Sequence, residues 1–217
     1  MEELLKIKSE AENEAYQYFN DNIRPLPKTS EGKWDFSSGK FIDNDVDAFR
    51  HAYVSGVFTQ KFGEHAANAL GLLNEFDGDF KRDQSLEQKN MDLWNNQIGR
   101  KYGKLTQSRK DLAKLLQAAL FANELITTID KKKDPRVYQE SDYYKAIDPN
   151  KPVIVLEESE TGRNKIFLDL IQGTTMSQED FIENISSGLY PGYSIANIND
   201  IPTPISKPDD ITTNNLG

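Results

Sequence analysis

Two short segments concentrate the residue types from which reactive sites are built: Asp47-Ala-Phe-Arg50-His51-Ala-Tyr53 and Asn90-Met-Asp92-Leu-Trp-Asn95-Asn96-Gln-Ile-Gly99-Arg100. Both lie in stretches with helical periodicity, although Asp, His and Asn are weak helix formers that favour caps and turns. Several of them in mid-helix point to a demand other than solvation. In the first segment Asp47, His51 and Ser55 recur at i, i+4 and i+8 on one helical face, with Arg50 beside Asp47 at the i+3 spacing. An imidazole titrates near neutral pH, so His51 could serve as acid, base or ligand. The plainer reading has Asp47 capping or pairing with the helix start and His51 donating to a buried partner. A Ser-His-Asp triad also fits the spacing, but it requires the nucleophile on an exposed turn with oxyanion donors near it.

The second segment gives a sharper geometric expectation. At 100° per residue, Asp92, Asn95, Asn96 and Gly99 fall in a narrow arc, with Met91, Trp94 and Ile98 on the other side. Solvated faces are normally filled with Glu, Lys and Gln. Two amides, an Asp and a Gly predict a face that meets backbone, another polar helix or a ligand. Between the two segments lies Leu72-Leu-Asn74-Glu75-Phe76-Asp77-Gly-Asp79. A Glu ending an apolar helix beside Phe76 is in surroundings that raise a carboxyl pKa by desolvation and suit it to general-acid work. An exposed last-turn Glu is the ordinary alternative. Asp77 and Asp79 flank a turn glycine without the ligand ladder of a calcium loop.

The elements that must position these residues are mainly helical. Apolar residues at helical spacing predict helices over residues 2–20, 45–62, 64–76, 86–102 and 108–129, a five-helix body occupying residues 1–133. The last carries a stripe of Leu112, Leu115, Leu116, Ala119, Leu120 and Ile126. Lys131-Lys-Lys133 and Asp134-Pro135 close this body. Residues 134–217 then read as an appendage packing on it: a β-hairpin from 152–156 and 166–168, a short helix opened by the capping box Ser177-Gln-Glu-Asp180 and stopped at Gly188, and an extended tail from Ile201. The fold class expected is therefore mainly α with a C-terminal hairpin, short helix and tail.

Composition narrows the function classes. The 217 residues carry a net charge of −9, 37% hydrophobic and 10% aromatic residues, and no cysteine. That is enough apolar content for a sizeable core. The acidity argues against a chain held to nucleic acid or anionic lipid by its overall field. Without cysteine there are no disulfides, thiolate metal sites or cysteine nucleophiles. No apolar run reaches the ~18 residues of a membrane span. The N-terminus lacks the charged-then-apolar signal-peptide pattern. The expectation is a protein that is exported without a classical signal peptide, or is cytoplasmic before export, with no stable membrane insertion.

Arg50-His51-Ala, Asn74-Glu75 with Gly78-Asp79, Asn90-Met-Asp92-Leu-Trp-Asn95-Asn96 and Gly99-Arg100 together resemble the helical domain of bacterial proteins with an "RHA … NE/HE … MDLxNNxxGR" pattern. Such domains are similar to modules at the ends of large secreted or polymorphic-toxin-like proteins. The resemblance covers residues 43–138. Related sequences carry His where this chain has Asn74 and Trp94, so a zinc site with three protein nitrogens cannot be assembled here, and no metal ligands are assigned. The resemblance implies a secreted effector or toxin-type context, and one reading of the residues is a hydrolase with Glu75 as acid, Asp92 or Asp79 as its partner, and Glu75, His51 and Asp92 as the catalytic set. Arg50, Asn95, Asn96, Arg100 and Asp79 would hold substrate. Cell-envelope material, peptidoglycan first, is the expected substrate, since two carboxylates on a helical scaffold suit glycoside hydrolysis. A cognate immunity or carrier protein is the expected partner. Two alternatives remain: a binding module whose polar residues form a structural network, and a metal-assisted phosphodiester or phospholipid hydrolase using His51.

Overall fold

The computed structural model describes residues 2–64, 66–68, 70–71, 84–138, 148–159, 161–172, 174–209 and 216. A mainly helical N-terminal body is followed by a small antiparallel sheet, a short helix and a hairpin. The chain divides into two compact units, Lys6–Glu140 and Ser141–Gly217 with Met1–Leu5. Among the described residues, no helix is long and apolar enough to cross a membrane.

The helical unit contains α1 (Glu2–Asn22), a 3-10 turn (Phe36–Ser38), α2 (Asp45–Phe62), α3 (Leu86–Gly103) and α4 (Arg109–Phe121). Glu64, Ala66–Asn68, Leu70 and Gly71 are also helical, in the segment where the third helix is expected. Each start has a local cause. Asn44 caps α2 by accepting from the backbone N–H groups of Val46 and Asp47, Ser85 and Gln88 form a reciprocal capping box on α3, and Ser108 caps α4. These contacts satisfy the orphan donors of the first turn.

Helix α2 runs through the middle of the unit, with every residue from Val46 to Thr59 except Arg50 buried. Helix α1 buries Ala11, Ala15 and Phe19, and the rings of Phe19 and Phe49 meet edge to face at 5.7 Å. Leu112 and Leu116 of α4 are fully buried. The closest approach is between α2 and α3. A Cβ built on Gly99 would fall inside the Ala52 carbonyl, and one on Gly103 would lie 2.6 Å from the carbonyl oxygen of Gly56. Gly56 is itself covered by Leu112, whose methyls would stand 2.9 Å from an added Cβ. The two helices therefore touch backbone to backbone.

The fifth expected helix is shorter than its stripe suggests. It ends at Phe121 rather than Ile129, because Asn123 takes a left-handed φ of 58°. Leu125 and Ile126 are buried all the same, from non-helical backbone, so their burial mimics the end of the stripe.

The C-terminal unit is built around three antiparallel strands in the order β1 (Val153–Glu158), β2 (Asn164–Asp169), β3 (Thr174–Ser177). The expected hairpin is thus extended by a third strand. Helix α5 (Gln178–Ser186) follows on the Ser177–Asp180 capping box and stops before Gly188 at φ 83°. Phe167, Phe181, Tyr190 and Tyr193 form an aromatic core with Val153 and Met176. The Tyr193 hydroxyl accepts from Val153 N–H at 2.9 Å and donates to its carbonyl at 3.2 Å. The tail that reads as extended is strand β5 (Ile201–Ser206), paired with β4 (Tyr193–Ile198). Its turn, Asn199-Asp200, has positive φ at both residues, 53° and 61°, as the two-residue hairpin turn that matches strand twist requires.

The α2–α3 crossing yields a direct expectation. Gly99→Ala forces main chain apart and should cost about 3 kcal/mol or more, beyond ordinary overpacking. Gly71→Ala, whose added Cβ among the described residues meets the Asn96 side chain at 3.5 Å, should change stability by less than about 1 kcal/mol. Urea unfolding of both variants measures the difference.

Candidate functional site

The polar arc of α3 faces inward. Asp92, Asn95, Asn96, Gly99 and Arg100 are all buried; on the other side Met91 is buried too, while Trp94 and Ile98 are half-buried. This inversion follows from the crossing, because only the glycine-bearing face of α3 can reach the α2 backbone. The amides and carboxylate beside those glycines are carried in with them.

The buried face divides into two tasks. Asn95 is fully buried and spends its amide on backbone, donating to the Ile126 carbonyl and accepting from Ile126 N–H, each at 2.9 Å. Asn90 does the same toward the Arg136 carbonyl and Tyr138 N–H. Trp94 Nε1 donates to the Glu124 carbonyl, and Arg136 stacks over Trp94 while donating to the carbonyls of Asn123, Glu124 and Leu125. These contacts pin the irregular chain after α4, so Asn95 is occupied by architecture.

Asp92 and Asn96 point instead to α2, where they meet His51. Asp92 Oδ1 lies 3.2 Å from His51 Nε2, and the Asp47 Oδ1 atom one helical turn before His51 lies 3.7 Å from the same nitrogen. The Asn96 side chain hydrogen-bonds the ring. Each carboxylate is steadied through its other oxygen. Asp47 Oδ2 accepts from Asp43 N–H at 2.9 Å, and Asp92 Oδ2 accepts from Gln84 Nε2 at 2.7 Å. Asp43 sits at a left-handed φ of 57°, and its own carboxylate takes both donor contacts of Gln88 on α3. The entry to α2 is thereby tied to α3 around the cluster.

Arg50 supplies the positive charge. Its Nη2 lies 2.6 Å from Asp47 Oδ1 and 2.5 Å from His51 Nε2, while Nη1 reaches Glu12 of α1 at 3.3 Å. Burial and the adjacent guanidinium push the His51 pKa down to about 3, against the raising effect of Asp47, so the ring is neutral at physiological pH. Burial pushes the Asp47 carboxyl up. The charges of His51 when protonated and of Arg50, with hydrogen bonds from Arg50 and Asp43, outweigh it and hold Asp47 below its ordinary value.

Of the expected site residues, His51, Asp92, Arg50 and Asn96 come together. Arg100 is buried on the same helix. Glu75 and Asp79, with Asn74 and Asp77, lie outside the described residues. Asp47, which the sequence reads as a cap or helix-start partner, belongs to the cluster. Its i, i+4 spacing to His51 was the signal. Ser55 Oγ is buried with no hydrogen-bond partner among the described residues, so the bond to His51 that a triad needs is not made. Together Asp47, His51 and Asp92 offer ligand atoms within 4.8 Å of one another.

Residues 27–133 match the model of a family described as a domain of unknown function, DUF6973. The match includes α2, α3, α4 and the whole Asp47–His51–Asp92 cluster. No curated protein and no solved structure matches the chain.

A neutral buried imidazole has a pH signature. The unfolded chain protonates His51 below about 6.5, whereas the folded chain resists until about 3. Stability from this residue is therefore complete above pH 6.5 and falls as pH drops through that window, by up to about 1.4 kcal/mol per pH unit for one proton. His51→Gln should flatten the pH dependence of urea stability between pH 6.5 and 4.5. A slope unchanged by the substitution would contradict this placement.

Proposed function

We propose that the helical domain is a hydrolase of the secreted-effector type whose water-activating centre is the Asp47, His51 and Asp92 cluster. The observation that supports this reading is the approach of His51 Nε2 to a carboxylate carried by a different helix, 3.2 Å from Asp92 Oδ1. A neutral imidazole flanked by carboxylates offers one N–H and one lone pair with which to hold and orient a water. Arg50 and Asn96 beside it are groups able to orient and stabilise an oxygen that gains charge. Bacterial cell-envelope material, peptidoglycan first, remains the substrate class, because a net charge of −9 gathers neither nucleic acid nor anionic lipid. Glu75 is the proposed acid. A cognate immunity or carrier protein and export without a classical signal peptide belong to the same reading.

A second reading has its own support in the burial of Asp47, His51, Asp92, Asn95 and Asn96. In that reading the cluster is a structural network within a binding module, each member satisfied by its neighbours.

Turbidity clearing of isolated cell walls by the full-length protein, with thermal unfolding of the same samples, separates the two. For the hydrolase, His51→Gln and Glu75→Gln should each lower clearing by about 10²-fold or more, with the melting temperature of Glu75→Gln unchanged. A wild-type protein that clears no wall material, combined with a lowered melting temperature in His51→Gln and Asp92→Asn, assigns the cluster to architecture.

A further inference from the structure

We infer that Asp47, His51 and Asp92 form a binding site for one divalent cation of the zinc or manganese class, and that the guanidinium of Arg50 is the internal cation that stands in for it. The inference deepens the hydrolase reading by naming the ion that would activate water at the same cluster. It is testable without any activity.

Three features of the geometry carry it. The first is spacing. Ligand atoms held about 2.0–2.1 Å from a tetrahedral ion are about 3.3 Å apart. The His51 Nε2 to Asp92 Oδ1 and Asp47 Oδ1 separations are 3.2 and 3.7 Å. One imidazole with two carboxylates is a donor set for zinc or manganese, being neither the all-oxygen cage of calcium nor a thiolate set.

The second is the surrounding support. Asp47 and Asp92 are each fixed through one oxygen, by Asp43 N–H and Gln84 Nε2, and present the other oxygen to the same nitrogen. The imidazole is in turn held by Asn96. Ligands oriented by outer hydrogen bonds are how proteins aim side chains at a metal.

The third is a conflict that protons do not resolve. A neutral ring has one N–H. If Nε2 carries it, that hydrogen faces the Arg50 Nη2 donor at 2.5 Å. If Nε2 is bare, its lone pair faces the Asp92 Oδ1 carboxylate oxygen at 3.2 Å. Either tautomer leaves one like-against-like contact. An ion shared by all three ligands removes both, because the lone pair and both carboxylates then point at positive charge.

Arg50 has somewhere to go. Its Nη1 already reaches Glu12, whose side chain is partly exposed, and the Tyr16 hydroxyl also interacts with it. Moving the guanidinium toward α1 keeps it paired and clears the space among the three ligands. Arg50 thus competes with the ion, and its removal should strengthen ion binding rather than weaken it. A purely structural arginine would show the opposite, since its loss would leave Asp47 unpaired and the cluster disordered.

The experiment is calorimetric titration of the chelator-treated, dialysed full-length protein with MnCl2 and with ZnCl2, accompanied by circular dichroism and thermal unfolding. One ion per chain is expected, with a rise in melting temperature on binding. Asp92→Asn should weaken binding about tenfold or more, and Arg50→Gln should tighten it about tenfold. The inference is overturned if a folded Arg50→Gln protein binds neither ion at millimolar concentration, or if binding is unaltered by Asp92→Asn, which would place the ion elsewhere. Stoichiometric binding without wall clearing would leave the cation site standing and remove only the hydrolase reading.

Discussion

The contact on which the helical unit depends is the crossing of α2 and α3 at Ala52, Gly56, Gly99 and Gly103. Helices ordinarily pack at 8–10 Å with side chains between them. Here carbonyl groups of α2 stand where the side chains of Gly99 and Gly103 would begin. So close a contact permits one rotation and one register. Rotating α3 by a single residue would put Arg100 or Ile98 against the α2 backbone, where there is no room for either.

The buried polar face of α3 follows from that register. With Gly99 locked against Ala52, the positions one and two turns earlier on the same face, Asn96, Asn95 and Asp92, are carried inside whether or not they suit an apolar environment. The fold meets the cost in two ways. Asn95 and Asn90 are given backbone partners in the chain after α4, which lacks regular hydrogen bonding of its own. Asp92 is given His51, Gln84 and proximity to the Arg50–Asp47 pair. A buried carboxylate left alone would neutralise itself or unfold its surroundings.

Much of this was legible in the sequence, and the exceptions have physical causes. Caps announce themselves locally, so Ser177–Asp180 and Gly188 bounded α5 correctly. The wheel of α3 showed an unusual face because Asn, Asp and Gly are not what solvated helices carry, and that face is the buried one. The end of α4 was hidden because Leu125 and Ile126 continue an apolar rhythm after the backbone has turned at Asn123, and periodicity reports burial rather than conformation. Strand β5 was masked by Pro202 and Pro204, residues tolerated there because β4 and β5 form a two-stranded ribbon in which both are edges. Asp47 was undervalued because a helix start offers so ordinary a use for an Asp. Its Oδ1 is shared with Arg50 and approaches Nε2 of His51 on the same helix, and Asp92 of α3 closes on that nitrogen from the other side.

Whether the cluster exists for architecture or for chemistry can be argued from what the architecture already has. Buried polar networks are retained in some proteins because they enforce one packing among several. In this unit steric fit has done so, since the glycine crossing excludes other registers without help from charge. Replacing buried ionic groups by apolar ones of similar volume is often neutral or stabilising. Among the described residues the glycine contact sets the register without the charges of Asp47, Arg50, His51 and Asp92, and His51 subtracts stability as the solution becomes acidic. The cluster costs desolvation and draws its members from two helices whose register the glycine contact already sets.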